Sequence, residues 1–374
     1  MSRSRQSSAA AASGEDRLGA LPDDALLRVL SLLPSDDAVR TCVLARRWRH
    51  LWRSAPALRV ARDDGRPWSA QWLNRFVTHF LLLRDRAPLD ECGVSFYLLP
   101  TDDPDAEVFR FFKLWICHAV SLCQARALRV SIVDPVQRPG LADARLVSRH
   151  LTRVELGDVE LGSWALDFSG CTALEDLEMT SCSIEGRRIL LPSVKRLKII
   201  CCDFNVVPRT SISAPNVVSL ELSDHGGFTP LLQSMPSFVT AFVRFDERCD
   251  DICSNSYFGD CGDDECDGCY GDEDDDDYCV LLEGLSGATN LELIAQPEVA
   301  PEPIAQTDEW YNSMDGSLVS KHLKVVEVKY HDDAVLNKLL MVLNTCGVPS
   351  EKVAFRKMNS LSSEKFSFEQ KDED

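Results

Sequence analysis

The sequence predicts an α/β chain: a small module of three helices followed by a solenoid of stacked strands. Three observations carry this. Residues 17–56 alternate apolar and charged positions at helical spacing around well-placed prolines. After residue 125 an L-x-x-L-x-L pattern recurs at a regular interval. The chain has 374 residues, 45% hydrophobic and 26% charged, an ordinary globular balance long enough for two or three domains.

The first helix opens at Leu21-Pro22-Asp23-Asp24, where proline presets the turn and two carboxylates suit the helix dipole. It runs to about Leu33 and stops at Pro34. Leu26, Val29, Leu30 and Leu33 share one face, while Ala25, Leu27 and Leu32 fall outside it, so the helix needs cover on most sides. Ser35-Asp36-Asp37 is expected to cap a second helix with Ala38, Val39, Val43 and Leu44 inward. A third segment carries Trp48, Leu51 and Trp52 among Arg46, Arg47, Arg49, His50 and Arg53. From 17 to 62 there are nine Arg and four Asp, a net of +5 in a chain whose total is −19. So short a unit rarely supports its own core, which implies a partner in this chain or another.

The run Leu21-Pro22-Asp23-Asp24-Ala25-Leu26-Leu27-Arg28-Val29-Leu30-Ser31-Leu32-Leu33-Pro34, then Asp37 to Leu44, then Arg46-Arg47-Trp48-Arg49-His50-Leu51-Trp52, resembles a plant F-box. Cys42 and Ala45 stand where that group usually has Ser. The resemblance implies binding to a Skp-type adaptor and, through it, to a cullin. It also implies that Leu21, Pro22, Leu26, Leu27, Leu30, Leu33, Pro34, Val39, Val43 and Leu44 form the adaptor contact or the core behind it, with Trp48 and Trp52 as anchors.

Residues 57–124 read as a helical linker and the start of the array. Trp68, Trp72, Phe76 and Phe80 recur every four residues, the stripe of an amphipathic helix packed on a neighbour. Ala106 to Leu122 repeats the idea with Phe109, Phe112, Leu114, Trp115 and Ile116. The array itself is placed at 125–358. Leu151-Val154-Leu156, Leu174-Leu177-Met179-Cys182, Val194-Leu197-Ile199-Cys202 and Val217-Leu220-Leu222 match in turn, with His225 at the position of the cysteines. Their middle residues are 23, 20 and 23 apart, inside the range of leucine-rich repeats. Ala288-Leu291-Leu293 and Leu323-Val326-Val328 match later; Ala125-Leu128-Val130 and Leu89-Cys92-Val94 match weakly. Stacked repeats bury strands that cannot bury themselves alone, so Cys182, Cys202 and His225 are expected as core residues. The layout resembles plant F-box proteins with leucine-rich repeats. Leu323 to Tyr330, a helix at 336–342 and Gly347-Val348-Pro349 are similar to the C-terminal FBD-like unit of that group. Residues 1–16 and 359–374 are polar and expected to be disordered.

Residues 246–277 hold 15 Asp or Glu and one Arg, so this stretch alone carries −14. Six of the 15 cysteines, at 249, 253, 261, 266, 269 and 279, lie in or beside it. Two paired knuckles or a histidine partner would mark zinc, and neither is present. Asp263-x-Glu265-x-Asp267-Gly268 lacks the closing glutamate of a calcium loop. The insert at 246–279 is therefore read as a solvated loop, and no metal or other cofactor is expected. His225-Gly226-Gly227 before Gly284-Leu285-Ser286-Gly287-Ala288 has the order of a lipase site, but the second piece ends in Ala and the repeats account for both. No phosphate loop or zinc-protease motif occurs, so no catalysis by the chain's own residues is expected.

The acidic balance argues against nucleic acid, and no run of 18 apolar residues argues for a membrane span. The odd cysteine count fits reduced thiols inside the cell, and the nucleus or cytoplasm is the expected location. The resemblance implies the substrate-recognition subunit of a Skp–cullin–F-box ubiquitin ligase; the alternative is a repeat scaffold acting outside it. Strand side chains alternate, so Arg153, Glu155, Asp176, Glu178, Arg196, Lys198 and Glu221 are expected to face solvent and a target protein. That row predicts a mostly basic target.

Overall fold

A computed structural model describes residues 18–61, 70–84, 87–97, 106–133, 138–141, 145–206, 209–233, 235–245, 285 and 288–295, with the strands at 325–330 and 353–357. The acidic insert, Trp68, Ser286, the expected helix at 336–342, Gly347-Val348-Pro349 and both chain ends lie outside the described residues.

Helix α1 spans Asp23–Leu32 and follows Pro22, with Asp23 and Asp24 in its first turn. Helix α2 is only Ser35–Arg40. Ser35 does not cap it: the residue is buried and its Oγ accepts the Arg59 backbone N–H at 2.8 Å. The hydroxyl thus ties the module to the first strand. Beyond α2 the chain makes 3₁₀ turns at Thr41–Val43, Arg46–Arg49 and Leu51–Ser54, so the expected third α-helix is a pair of short turns. The extended Ala45 and the non-helical His50 break the ladder of hydrogen bonds, and each of the last two turns buries one indole, Trp48 or Trp52.

Among the described residues eleven parallel strands form the main sheet. They are β1 (Ala57–Ala61), β2 (Glu91–Tyr97), β3 (Ala127–Val133), β4 (Arg153–Gly157), β6 (Asp176–Thr180), β9 (Arg196–Ile200), β12 (Ser219–Ser223), β15 (Thr240–Phe245), β16 (Asn290–Ala295), β17 (Val325–Tyr330) and β18 (Val353–Lys357). Behind it, β5 (Glu160–Leu161), β7 (Ser183–Ile184), β10 (Asp203–Phe204) and β13 (Gly226–Gly227) make one narrow sheet. The short strands β8 (Arg188–Leu190), β11 (Ser211–Ser213) and β14 (Leu231–Leu232) make another. In the main sheet the register stacks Leu58, Cys92, Leu128, Val154, Leu177, Leu197, Leu220, Ala241 and Leu291 in one buried column. Burial pushes the Cys92 thiol up to about 12, which keeps it protonated and apolar.

Spacing decides how each repeat returns. Leu58, Cys92 and Leu128 are 34 and 36 residues apart, enough for helices α3 (Ala70–Leu83) and α4 (Ala106–Ser121). Val154 to Leu220 has intervals of 20 to 23, enough only for the short strands behind. Ala55-Leu58-Val60 keeps leucine only in the middle place and Phe238-Ala241-Val243 has none, so these two true strands carry little of the signature.

Each tight repeat leaves its strand through one left-handed residue: Asp158, Ser181, Cys201 or Asp224, with φ between 51° and 57°. The N–H of each reaches the carbonyl at the end of the next strand, as from Asp158 to Thr180 at 3.0 Å. One residue on, the buried Cys182 thiol donates to Leu156 O at 3.4 Å and Cys202 to Met179 O at 3.4 Å. These cysteines are core residues that also satisfy carbonyls of the preceding repeat. His225 is fully buried at the same position, and its Nε2 lies 2.9 Å from Thr229 Oγ1. Among the described residues no helix is long and apolar enough to cross a membrane.

Candidate functional site

Two surfaces stand out. The first lies on the helical module, where the twelve predicted contact residues separate by burial. Leu26, Leu30, Trp48 and Trp52 are buried in the module's own core. Trp52 also meets Phe80 of α3, ring centres 5.4 Å apart, which docks the module on the repeats. Leu21, Leu33 and Val39 are half-buried against that core, and Leu27 and Pro34 are half-buried as well. Pro22, Val43 and Leu44 are exposed, Val43 by 82% and Leu44 by 66%. The expectation that Val43 and Leu44 point inward is therefore corrected. The chain leaves helical register at Thr41, and the 3₁₀ turn rotates both side chains to solvent. Val29, placed on the inner face of α1 by spacing, is also exposed, and Leu32 and Leu18 join it.

Charges frame this apolar surface. Arg47 holds Asp23 through Nε at 2.8 Å and donates from Nη1 to Gly19 O at 2.7 Å, pinning the start of α1. Arg46 and Arg49 are exposed beside it. At the other end of the module the buried Arg84 donates to Ala55 O at 2.7 Å and to Ala87 O at 3.1 Å. One guanidinium thus fastens the module, the end of α3 and the entry to β2; burial lowers its pKa while the neighbouring Cys123 offsets that. Arg84 takes the next place in the four-residue stripe after Phe80, but as a charged residue it does not announce burial in the sequence.

The second surface is the open face of the main sheet. Arg153 and Arg196 are exposed there, and Glu155, Asp176, Glu178, Lys198 and Glu221 are half-exposed, so all seven predicted residues lie on it. They do not form an unpaired acidic row. Arg196 Nη2 donates to Asp176 at 2.7 Å, Lys198 lies 3.0 Å from Glu221, and Glu155 takes both Arg129 and Arg153, the latter at 2.7 Å. Burial pushes the Glu155 carboxyl up, but hydrogen bonds and charges from Arg129 and Arg153 outweigh it and hold it below the usual range. Arg59, Glu91 and Arg129, from strands the spacing left out or matched weakly, extend the face. Among the described residues no group of His, Cys, Asp or Glu is arranged to hold a metal.

Comparison with known sequences decides the module: residues 18–59 match the family model of the F-box domain. The chain carries an F-box domain. Its relatives agree with the solenoid that follows. A protein of Arabidopsis thaliana named as an FBD-associated F-box protein is 28% identical over 269 residues, 64% of this chain and 61% of its own length. Another so named is 26% identical over 259 residues, covering 62% and 58% of the two chains. A third, an F-box/FBD/LRR-repeat protein, is 39% identical over 93 residues, 24% of this chain and 20% of its own. The matches thus span about three fifths of the length of the FBD-associated relatives. The exposed Pro22, Leu32, Val43 and Leu44 all fall within the F-box, and β1 begins at its end.

Proposed function

We propose that this F-box protein is the substrate-recognition subunit of a Skp–cullin–F-box ubiquitin ligase, working in the nucleus or cytoplasm. The observation that carries the proposal is the F-box with Val43, Leu44 and Leu32 exposed on a module whose core residues Leu26, Leu30, Trp48 and Trp52 are buried. Several exposed large apolar side chains on so small a unit suit a protein contact, and F-box domains generally bind Skp-type adaptors. The surrounding arginines speed encounter with an acidic partner.

In this reading the chain performs no chemistry. The sheet face holds a target while the F-box holds the ligase, and tethering raises the effective concentration of a target lysine at the ubiquitin-charged enzyme. Fastening by Arg84 and Trp52 matters here, because a rigid joint restricts the volume that lysine explores. Co-expression with a Skp-type adaptor and a cullin tests the proposal. The full chain should co-purify with both, and a variant with Val43→Asp and Leu44→Asp should recover neither while melting normally. Adaptor binding without cullin recruitment would instead favour a scaffold outside the ligase.

A further inference from the structure

The main sheet has one gap in the central row of its open face. Register places Arg59, Gly93, Arg129, Glu155, Glu178, Lys198, Glu221, Phe242 and Glu292 side by side on successive strands. Only Gly93 lacks a side chain, and it sits between two arginines. The result is a depression of about 570 Å³ lined by Arg59, Glu91, Gly93, Arg129, Arg153 and Glu155, with Ser95 at one side. Glycine inside a strand weakens it and marks places where another molecule approaches the backbone. Sterics do not require it here. A Cβ at Gly93 would meet nothing closer than Glu91 Oε1 at 3.6 Å, an ordinary contact.

The charges around the gap are arranged in layers. Arg59 binds Glu91 through Nε and Nη2, and Arg129 binds Glu155 through the same edge. Arg153 binds Glu155 through Nε. In every pair the carboxylate is the less exposed partner: 26% against 35% for Glu91 and Arg59, 18% against 55% and 54% for Glu155 and its two arginines. The glutamates thus buttress the guanidiniums from below, and the Nη1 groups have no acceptor among the described residues. A visitor meets three guanidiniums, fixed in orientation, over two neutralised carboxylates. Residues 1–153 contain 23 basic and 17 acidic residues, a net of +6, while the rest of the chain carries −25. The depression therefore lies in the positive half of the molecule.

We propose that this depression is a docking site for an acidic segment of a partner protein, with one carboxylate side chain seated on Gly93 between Arg59 and Arg129. Fork-shaped guanidinium edges match carboxylate oxygens in pairs, and prior pairing to glutamate reduces the side-chain entropy lost on binding. The inference rests on reading the sheet face as the target-binding surface, and it reverses the sign that the residue row alone predicts, since the pocket adds Arg59 and Arg129 to that row's Arg153 and Glu155.

A fluorescein-labelled hexaglutamate peptide, titrated against the full chain co-purified with a Skp-type adaptor, tests it by anisotropy. Wild type should bind, more weakly as salt rises. Gly93→Leu fills the gap without changing the net charge and should weaken binding about tenfold or more. Arg129→Gln should do the same, while Glu160→Gln, on β5 in the narrow sheet behind, should change nothing. Thermal melts and adaptor retention show that each variant is folded. No binding, equal binding by Gly93→Leu, or preference for a hexalysine peptide would overturn the site. Retention of the adaptor in those same samples would leave the ligase proposal standing.

Discussion

The F-box and the solenoid use the same residue types in opposite ways. In the solenoid, leucines and valines of the main sheet point into a shared core, and the open face is covered with charges that pair across strands. In the F-box, Leu26 and Leu30 are buried, but Leu32, Val43 and Leu44, a few residues away, are exposed. The main-sheet strands can hide their inward apolar residues because all but the two outermost have neighbours on both sides. The F-box has too few residues to cover its own surface. Apolar exposure therefore marks one surface and paired charge the other. Under the proposed function, salt should act on the first contact chiefly through its encounter rate and on the second through its affinity.

Substitutions in each region sharpen the contrast. The largest effect belongs to the solenoid core. Leu197→Ala, in the middle of the buried column, should lower stability by about 2–5 kcal/mol, read as a shifted denaturant midpoint. Leu32→Ala should hardly move that midpoint, because its side chain is already in water. Next is the F-box surface: Val43→Asp with Leu44→Asp should weaken adaptor affinity by about a hundredfold in calorimetry. An unchanged affinity would assign the exposed surface to something other than the adaptor.

The joint comes third. Arg84→Met strands carbonyls of Ala55 and Ala87, and should cost about 1.5–3 kcal/mol, visible as faster amide exchange at residues 55–58. A smaller effect follows from Glu155. Its carboxyl is held below the usual range, so its contribution is complete above the ordinary carboxylate pKa and is lost as pH falls through the lower, folded value. Glu155→Gln should flatten that acid limb and cost no more than about 1 kcal/mol at neutral pH, since the pairs are partly exposed. The smallest effect is that of deleting 248–277. Thr240–Phe245 and Asn290–Ala295 pair in direct register on either side, so shortening the connection should change stability by no more than about 1 kcal/mol, checked by melting. A large drop would make the insert a structural element.

The sequence by itself determined the helical module, the inward columns of the repeats and the alternation that sends Arg153, Glu155 and Glu178 to solvent. Each of these depends on local period, and period is written in the chain. It also separated structural cysteines from ligands, because Cys182 and Cys202 fall at a repeating position. Tertiary structure alone decided which apolar residues of the F-box remain outside. Val43 and Leu44 turn outward because the chain breaks from α to 3₁₀ geometry after Arg40, where Ser35 and Trp52 are already fixed to β1 and α3. It decided the strands at 57–61 and 240–245, where alanine and phenylalanine replace leucine and neighbouring strands supply the order. It decided, too, that Gly93 opens a gap between Arg59 and Arg129. Those residues are 34 and 36 positions apart in sequence and meet only through register. Pairing across strands is a long-range property, and no window of neighbouring residues contains it.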